Sequence, residues 1–308
     1  MQSKINKDIL FNIIQLILAV VTGALTPIFL LNDKQLPIIY YILMSLLIII
    51  TLSFSFFRAL KRTPTTLAIS ILGYPNSGKT VYLTILFNEL LTGQNQYHGS
   101  FRTYGTETIE RITSDFKLLK SGCWLPPTPA EGVFYYRATA SLSKLKKYKL
   151  EIADYAGEKF KNDLNENDNY FHKTDFFKFV MASDAVILAI DIDRFLLEKS
   201  EYITTSENSF IAALTLMQEQ KYIGFDTKIK FPVAIVFMKS DLLSAKISQE
   251  GVLRQFDRLM NFCNKTCVHF KPFFVSSIGK IEFKEGTTNY LNPYGVIEPI
   301  VWLMRQAK

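Results

Sequence analysis

Residues 73–80 restrict what this chain can become more than any other stretch: Gly73-Tyr74-Pro75-Asn76-Ser77-Gly78-Lys79-Thr80. The pattern is G-x-x-x-x-G-K-T, a phosphate-binding loop. Its inward-pointing backbone N–H groups, those of Asn76 and Ser77 among them, make a nest for a β-phosphate. Gly73 and Gly78 accept backbone turns that would strain other residues. Lys79 puts a point charge between β- and γ-phosphates, and the Thr80 hydroxyl is placed to ligate Mg²⁺. An ordinary Gly-rich turn could contain Lys-Thr by chance, so the flanks decide. Upstream, Leu67 to Leu72 is an apolar run of the length of a buried parallel strand. Downstream, Val81 to Leu91 carries apolar residues at helical spacing, with no breaker until Gly93. Strand, loop and helix occur in the required order.

The chain has 308 residues, is 48% hydrophobic and has a mean hydropathy of +0.13. The apolar excess sits at the N-terminus. Ile9 to Leu31 is interrupted only by Asn12, Gln15, Thr22 and Thr26 among polar side chains, and Leu36 to Phe57 holds no charge. Each stretch is about 22 residues, enough to cross roughly 30 Å of hydrocarbon. A signal peptide would be shorter and carry a small-residue cleavage site. A soluble apolar pair would show an amphipathic pattern. The expectation is a transmembrane helical hairpin over residues 1–62, followed by a P-loop domain over 63–308. Lys4 and Lys7 precede the first span, and Arg58, Lys61 and Arg62 follow the second. The positive-inside rule then places both ends in the cytosol of a cell bounded by an inner, cytoplasmic membrane. Asn12 and Gln15 share a face that either bonds the partner helix or sits near the interface. No intramembrane charge marks a transport path.

The net charge of +7 divides into +4 for residues 1–62 and +3 for the rest. Basicity is therefore partly juxtamembrane, where lipid headgroups account for it. The remainder gives no nucleic-acid footprint. Of three cysteines, Cys263 and Cys267 lie near His269. Structural zinc needs four ligands, and three are present, so buried thiols at a helix end are expected. An odd cysteine count without a signal peptide suits a reducing cytosol.

Along the chain, Gly93 to Gly99 reads as a loop and Thr106 to Lys120 as an amphipathic helix with Ile109, Ile112, Phe116 and Leu119 on one face. Cys123 to Pro129 is Pro-rich and excludes helix and central strand. Val133 to Leu142, a basic turn at Lys144 to Lys149, and Leu150 to Ala153 read as a hairpin ending in Asp154-Tyr155-Ala156-Gly157-Glu158. Helices are expected over 170–181, 206–220, 251–263 and 296–306. Strands are expected over 185–190, 231–238 and 270–275. The order specifies an α/β fold with a mostly parallel six-stranded sheet and helices on both faces.

Four signals stand at strand ends: the P-loop, Asp154-x-x-Gly157, Lys239-Ser240-Asp241 and Ser276-Ser277. In an open α/β sheet they converge on one crevice. The series resembles the Ras-like GTPases of the translation-factor-related class over residues 67–308. The helical insert, the Gly122-Cys123-Trp124-Leu125-Pro126 run and the closing Pro293-Tyr294-Gly295-Val296 segment look more specifically like bacterial double-GTPase domains, which are associated with conflict and signalling systems. The resemblance implies GTP and GDP as ligands and Mg²⁺ as cofactor. It implies that Asp154 holds Mg²⁺ through water and that Thr128, matching the switch I threonine, covers it. The Gly157 N–H would contact the γ-phosphate. Asp241 would accept from guanine N1–H and N2–H₂, the Lys239 stem would lie along the base, and Ser276 or Ser277 would offer an N–H to guanine O6. Asn76 matches an asparagine that binds an activating K⁺ in some relatives.

Two residues depart from the pattern. Met238 stands where the base-reading motif has Asn or Thr, whose side chain braces the P-loop, so a weaker site is expected. Glu158 stands where Ras relatives carry a water-orienting Gln. Its charge near a γ-phosphate predicts slow intrinsic hydrolysis, completed by a partner's arginine, or else no role at all. The expected activity is that of a membrane-anchored GTP-hydrolysing switch. It would act on an effector that the sequence does not name, and a homodimer could supply groups in trans. A nucleotide-holding docking receptor and a P-loop ATPase are the alternatives.

Overall fold

The computed structural model describes residues 46, 49–51, 53, 64–92, 100–128, 133–142, 146–155, 175–221, 228–244, 247–280 and 289–307. The chain divides into two compact units, Met1–Lys61 and Arg62–Lys308. In the first unit the two apolar spans lie almost wholly outside the described residues. Leu46, Ile49, Ile50, Thr51 and Ser53 are helical, and Leu46, Ile49 and Ile50 are more than half exposed. Among the described residues no helix is long and apolar enough to cross a membrane.

The second unit is built on β1 (Thr65–Leu72), whose last four residues are buried. It pairs in parallel with β4 (Lys147–Tyr155) on one side and β5 (Ala185–Asp191) on the other. Beyond β5 follow β6 (Val233–Met238) and β7 (Phe270–Phe274), both parallel. Beyond β4 come β3 (Val133–Ser141) and β2 (Ser100–Thr103), both antiparallel. The order is β2-β3-β4-β1-β5-β6-β7. Every residue of β5 and β6 is buried, which is why these strands read as continuous apolar runs: helices cover both faces.

Side chains of successive strand residues feed two cores. On one face, Ile69, Ile71, Leu150, Ile152 and Ile187 pack with α1 (Lys79–Thr92), α2 (Thr106–Lys120) and α8 (Glu298–Gln306). On the other, Leu72, Val186, Leu188, Ile190 and Phe237 pack with α3 (Asp175–Ala182), α4 (Ile192–Glu198), α5 (Ser200–Lys221), α6 (Gln249–Gln255) and α7 (Asp257–Thr266).

The sheet is mixed and mostly parallel, as expected, but has seven strands where six were expected. The added strand β2 is Ser-Phe-Arg-Thr, with only Thr103 fully buried, so it carries no apolar alternation. The basic stretch Lys147–Lys149 is strand, not turn. Its charges face out while Tyr148 faces in, continuing the period of two through Leu150 and Ile152. The helix expected over 251–263 is two, meeting at buried Phe256. The helix expected over 206–220 begins at Ser200, directly after the C-cap of α4, Lys199, with φ 41°. On α2, Thr108 rather than Ile109 is buried.

Candidate functional site

The P-loop joins the C-terminal end of β1 to α1. Gly78 has φ 86°, where only glycine is unstrained, and Asn76 adopts φ 61°. Gly73 is needed for a different reason than the expected turn. A Cβ there would lie 2.8 Å from the Ala189 carbonyl oxygen on β5 and 3.1 Å from Ser77 Oγ. The Lys79 ammonium curls over its own loop, donating to the Gly73 and Tyr74 carbonyls at 2.8 Å each and reaching Ser77 Oγ at 3.3 Å. Burial pushes its pKa down to about 8, against the upward pull of Asp154 and Asp191. Two tyrosines tether the loop. The Gly73 N–H donates to the Tyr155 hydroxyl at 3.3 Å, and the Tyr74 hydroxyl meets Ser209 Oγ and the Thr205 carbonyl on α5.

At the head of α1, Thr80 Oγ1 and Thr128 Oγ1 are 3.0 Å apart, although 48 residues separate them in sequence. Beside them stands Asp154, fully buried near the end of β4. Neither of its carboxylate oxygens accepts a hydrogen bond. The Thr80 and Thr128 hydroxyls flank it. Burial raises the Asp154 pKa; the Lys79 charge is the largest of the influences that oppose this, and the two hydroxyls lie close enough to pull it down too. The Arg111 guanidinium of α2 lies 3.7 Å from Asp154 and 4.3 Å over the Phe134 ring. Two hydroxyls and an orphaned buried carboxylate are all hard oxygen donors, next to a phosphate nest. The set fits Mg²⁺, which keeps waters and takes few protein ligands. Gly157 and Glu158 lie outside the described residues.

A third cluster forms where β6 and β7 end. Lys239, at φ 58°, opens a short 3₁₀ turn over Ser240–Leu242. Its ammonium pairs with buried Asp191 at 2.9 Å and with Asp193 at 3.6 Å. Asp191 also caps α4 by accepting from the Asp193 N–H at 3.0 Å. Asp241 Oδ1 accepts from Ser276 Oγ at 2.5 Å. The Ser276 N–H is donated to the Tyr294 carbonyl at 3.0 Å, so Ser276 does not offer that group to a ligand. It braces Asp241 instead, and Ser277 is left as the N–H donor of the two. Met238 is buried and forms no brace by hydrogen bond. With the Lys239 stem it packs about 4 Å from where a Gly78 Cβ would stand.

All ten expected nucleotide-binding residues therefore stand at the carboxyl ends of β1, β6 and β7, and Thr80, Thr128 and Asp154 form one oxygen cluster. Tyr74, Tyr155, Arg111, Asp191 and Tyr294 also shape the site, and sequence reasoning assigned them no role. Asp191 ends an apolar strand, the same signal that marked Asp154. The four others have no local signature.

The sequence matches the family model described as Double-GTPase 2 over residues 67–292, well over half of the chain. Among solved structures, the Arl6 (BBS3) small GTPase of Trypanosoma brucei with a bound nucleotide analogue is similar at 16% identity. The alignment covers 79% of this chain and 98% of that one, with a TM-score of 0.43. No curated protein matches the sequence.

Proposed function

The chain belongs to the Double-GTPase 2 family and hydrolyses GTP, and from that premise we propose that it works as a membrane-anchored, Mg²⁺-dependent molecular switch. The observation that carries this reading is the Thr80–Thr128 hydroxyl pair above the orphaned Asp154 carboxylate. Thr128 lies in irregular backbone following α2, and its hydroxyl meets that of Thr80. Thr80, Thr128 and Asp154 would hold Mg²⁺. When bound, the metal would neutralise charge on the β- and γ-phosphates. The chain's own part is to position. The P-loop backbone cradles phosphate, Lys79 exchanges its loop carbonyls for phosphate oxygens, and Asp241 with the Ser277 N–H reads guanine.

The switch follows from order gained and lost at Thr128 and around Gly157 as the γ-phosphate comes and goes. Glu158, which in the resemblance takes the place of the water-orienting Gln, would slow intrinsic hydrolysis if it faces the γ-phosphate, because the two charges repel; otherwise it has no role in turnover. The anchor rests on the two uncharged spans of residues 9–31 and 36–57 and their basic flanks. A role in a bacterial conflict or signalling system, with an effector or activating partner, rests on the resemblance alone.

The test is nucleotide binding and turnover by the full chain in detergent. GTP turnover should need Mg²⁺, and Asp241→Ala should remove the preference for GDP over ADP. Equal affinity of the unaltered chain for the two nucleotides would turn the reading toward a general P-loop NTPase.

A further inference from the structure

We propose that Tyr294 is a specificity-determining residue, a clamp that positions the two base-reading loops in place of the side-chain brace that Met238 cannot supply. This rests on the reading of Asp241 as the guanine reader.

Tyr294 grips both loops at once, and with different groups. Its hydroxyl accepts from Ser240 Oγ at 2.9 Å, inside Lys239-Ser240-Asp241. Its backbone exchanges two hydrogen bonds with Ser276, N–H to carbonyl, at 3.0 and 2.9 Å. Ser276 in turn donates its hydroxyl to Asp241 and accepts from the Gly279 N–H at 2.9 Å. The carboxylate that reads the base is thus held by a serine that Tyr294 fixes, and by a turn that Tyr294 fixes from the other side.

The strain in that turn shows why a clamp is needed. Lys239 has a side chain and yet adopts φ 58°, a conformation that costs of order 1 kcal/mol and persists only where the surroundings enforce it. The following residue, Ser240, is pinned twice: its N–H to the Val275 carbonyl at 3.0 Å and its hydroxyl to Tyr294. In the usual motif the residue at position 238 would tie this turn to the P-loop from below. Here position 238 offers only a thioether.

The backbone of the clamp is seated on the sheet, while the Tyr294 side chain is 44% exposed. Gly295 has φ 70°, and a Cβ there would stand 2.5 Å from the Phe274 carbonyl oxygen, so the segment lies directly on the end of β7. The Asn292 N–H donates to the Ile278 carbonyl at 3.0 Å. The Asn289 N–H donates to the Lys120 carbonyl at the end of α2 at 2.8 Å. Tyr294 lies just beyond residues 67–292, the stretch shared with the family.

The test measures GDP and ADP affinity, by competition with a fluorescent GDP analogue, for the full chain in detergent. It compares the unaltered protein with Tyr294→Phe, Ser240→Ala and the double variant. Tyr294→Phe keeps the ring and the backbone pairing and removes only the acceptor. It should weaken GDP binding about threefold to tenfold, the worth of one hydrogen bond, and leave ADP binding unchanged. Ser240→Ala should do the same. The double variant should be no worse than either single one, because both remove the same bond. Equal losses for GDP and ADP, or an unchanged ratio in both single variants, would overturn the clamp. Lack of guanine preference in the unaltered protein would instead sink the reading of Asp241, so the two failures are distinguishable.

Discussion

The pair Lys239–Asp191 is unequal, and the inequality can be measured. Asp191 is fully buried, whereas the Lys239 side chain is 30% exposed and has a second carboxylate, Asp193, at 3.6 Å. Breaking a fully buried pair costs about 3–5 kcal/mol, chiefly because a charge is stranded without a partner. Lys239→Ala strands Asp191, which keeps the Asp193 N–H as its remaining donor, so about 2–3 kcal/mol is expected. Asp191→Asn strands no charge, although its NH2 would replace the Oδ2 that accepts from Lys239. The amide oxygen still caps α4 and a partly exposed lysine can turn to water, which leaves the buried NH2 as the main loss, so the cost should be about 1 kcal/mol, below that of Lys239→Ala. The double variant should then be more stable than Lys239→Ala alone, since it removes the stranded charge. The sign with pH follows from Asp191. Burial raises its folded pKa while Lys239 lowers it, and the net direction is up. Its proton therefore favours the native state at low pH, and that contribution is lost as pH rises through the folded value. Removing Lys239 raises the folded value further, so the loss caused by Lys239→Ala should shrink as pH falls from neutral toward 5. Urea unfolding of the unit Arg62–Lys308, which contains the whole sheet and both cores, reads all three differences. If Asp191→Asn proves as costly as Lys239→Ala, or the double variant is the least stable, the stranded-carboxylate argument is refuted.

Three other outcomes follow from the same geometry. Gly73→Ala places a methyl 2.8 Å from a β5 carbonyl, and should lower stability by about 1–3 kcal/mol, visible as a lower unfolding midpoint; an unchanged midpoint would show that the loop yields freely. Thr128→Ala removes one of two hydroxyls over Asp154, and should weaken Mg²⁺ binding to the GTP complex by at least about tenfold, the lower end of losses seen for groups that orient metal ligands, with less effect on the GDP complex. Arg111→Ala withdraws a cation 3.7 Å from Asp154, so the metal-free protein should lose more stability than the Mg²⁺-nucleotide complex, and the melting shift on adding both should widen.

What was legible in the sequence tracks the range of the interaction that produces it. The P-loop unit, the hairpin β3–β4 and the buried strands β5 and β6 follow from local pattern and appear within a few residues of their expected bounds. Strand β2 was hidden because an edge strand of four residues needs no apolar face. The split at Phe256 was hidden because its buried ring continues the helical period across the break. Asp154 and Asp241 were singled out because strand ends in an α/β sheet face one crevice, and Thr128 through the resemblance to Ras-like GTPases. Their supports were not, since Arg111 reaches Asp154 across 43 residues and Tyr74 reaches Ser209 across 135.

Met238 shows the limit most clearly. A sequence rule identifies a support by the residue type at one position, so replacement of that residue reads as damage. Support is a property of the loop, however, and any group that fixes its backbone can supply it. Here the turn at Lys239 is fixed by Asp191 through the ammonium, by Val275 through the Ser240 N–H, and by Tyr294 through the Ser240 hydroxyl. None of these is adjacent to Met238 in sequence. Met238 still contributes where a methionine can, by filling space: it is buried, with its Cβ about 4 Å from where a Gly78 Cβ would stand. The weaker site expected from Met238 rests on one missing hydrogen bond, and how far the three bonds that hold the turn from other directions offset it is what the affinity of the unaltered chain for GDP measures.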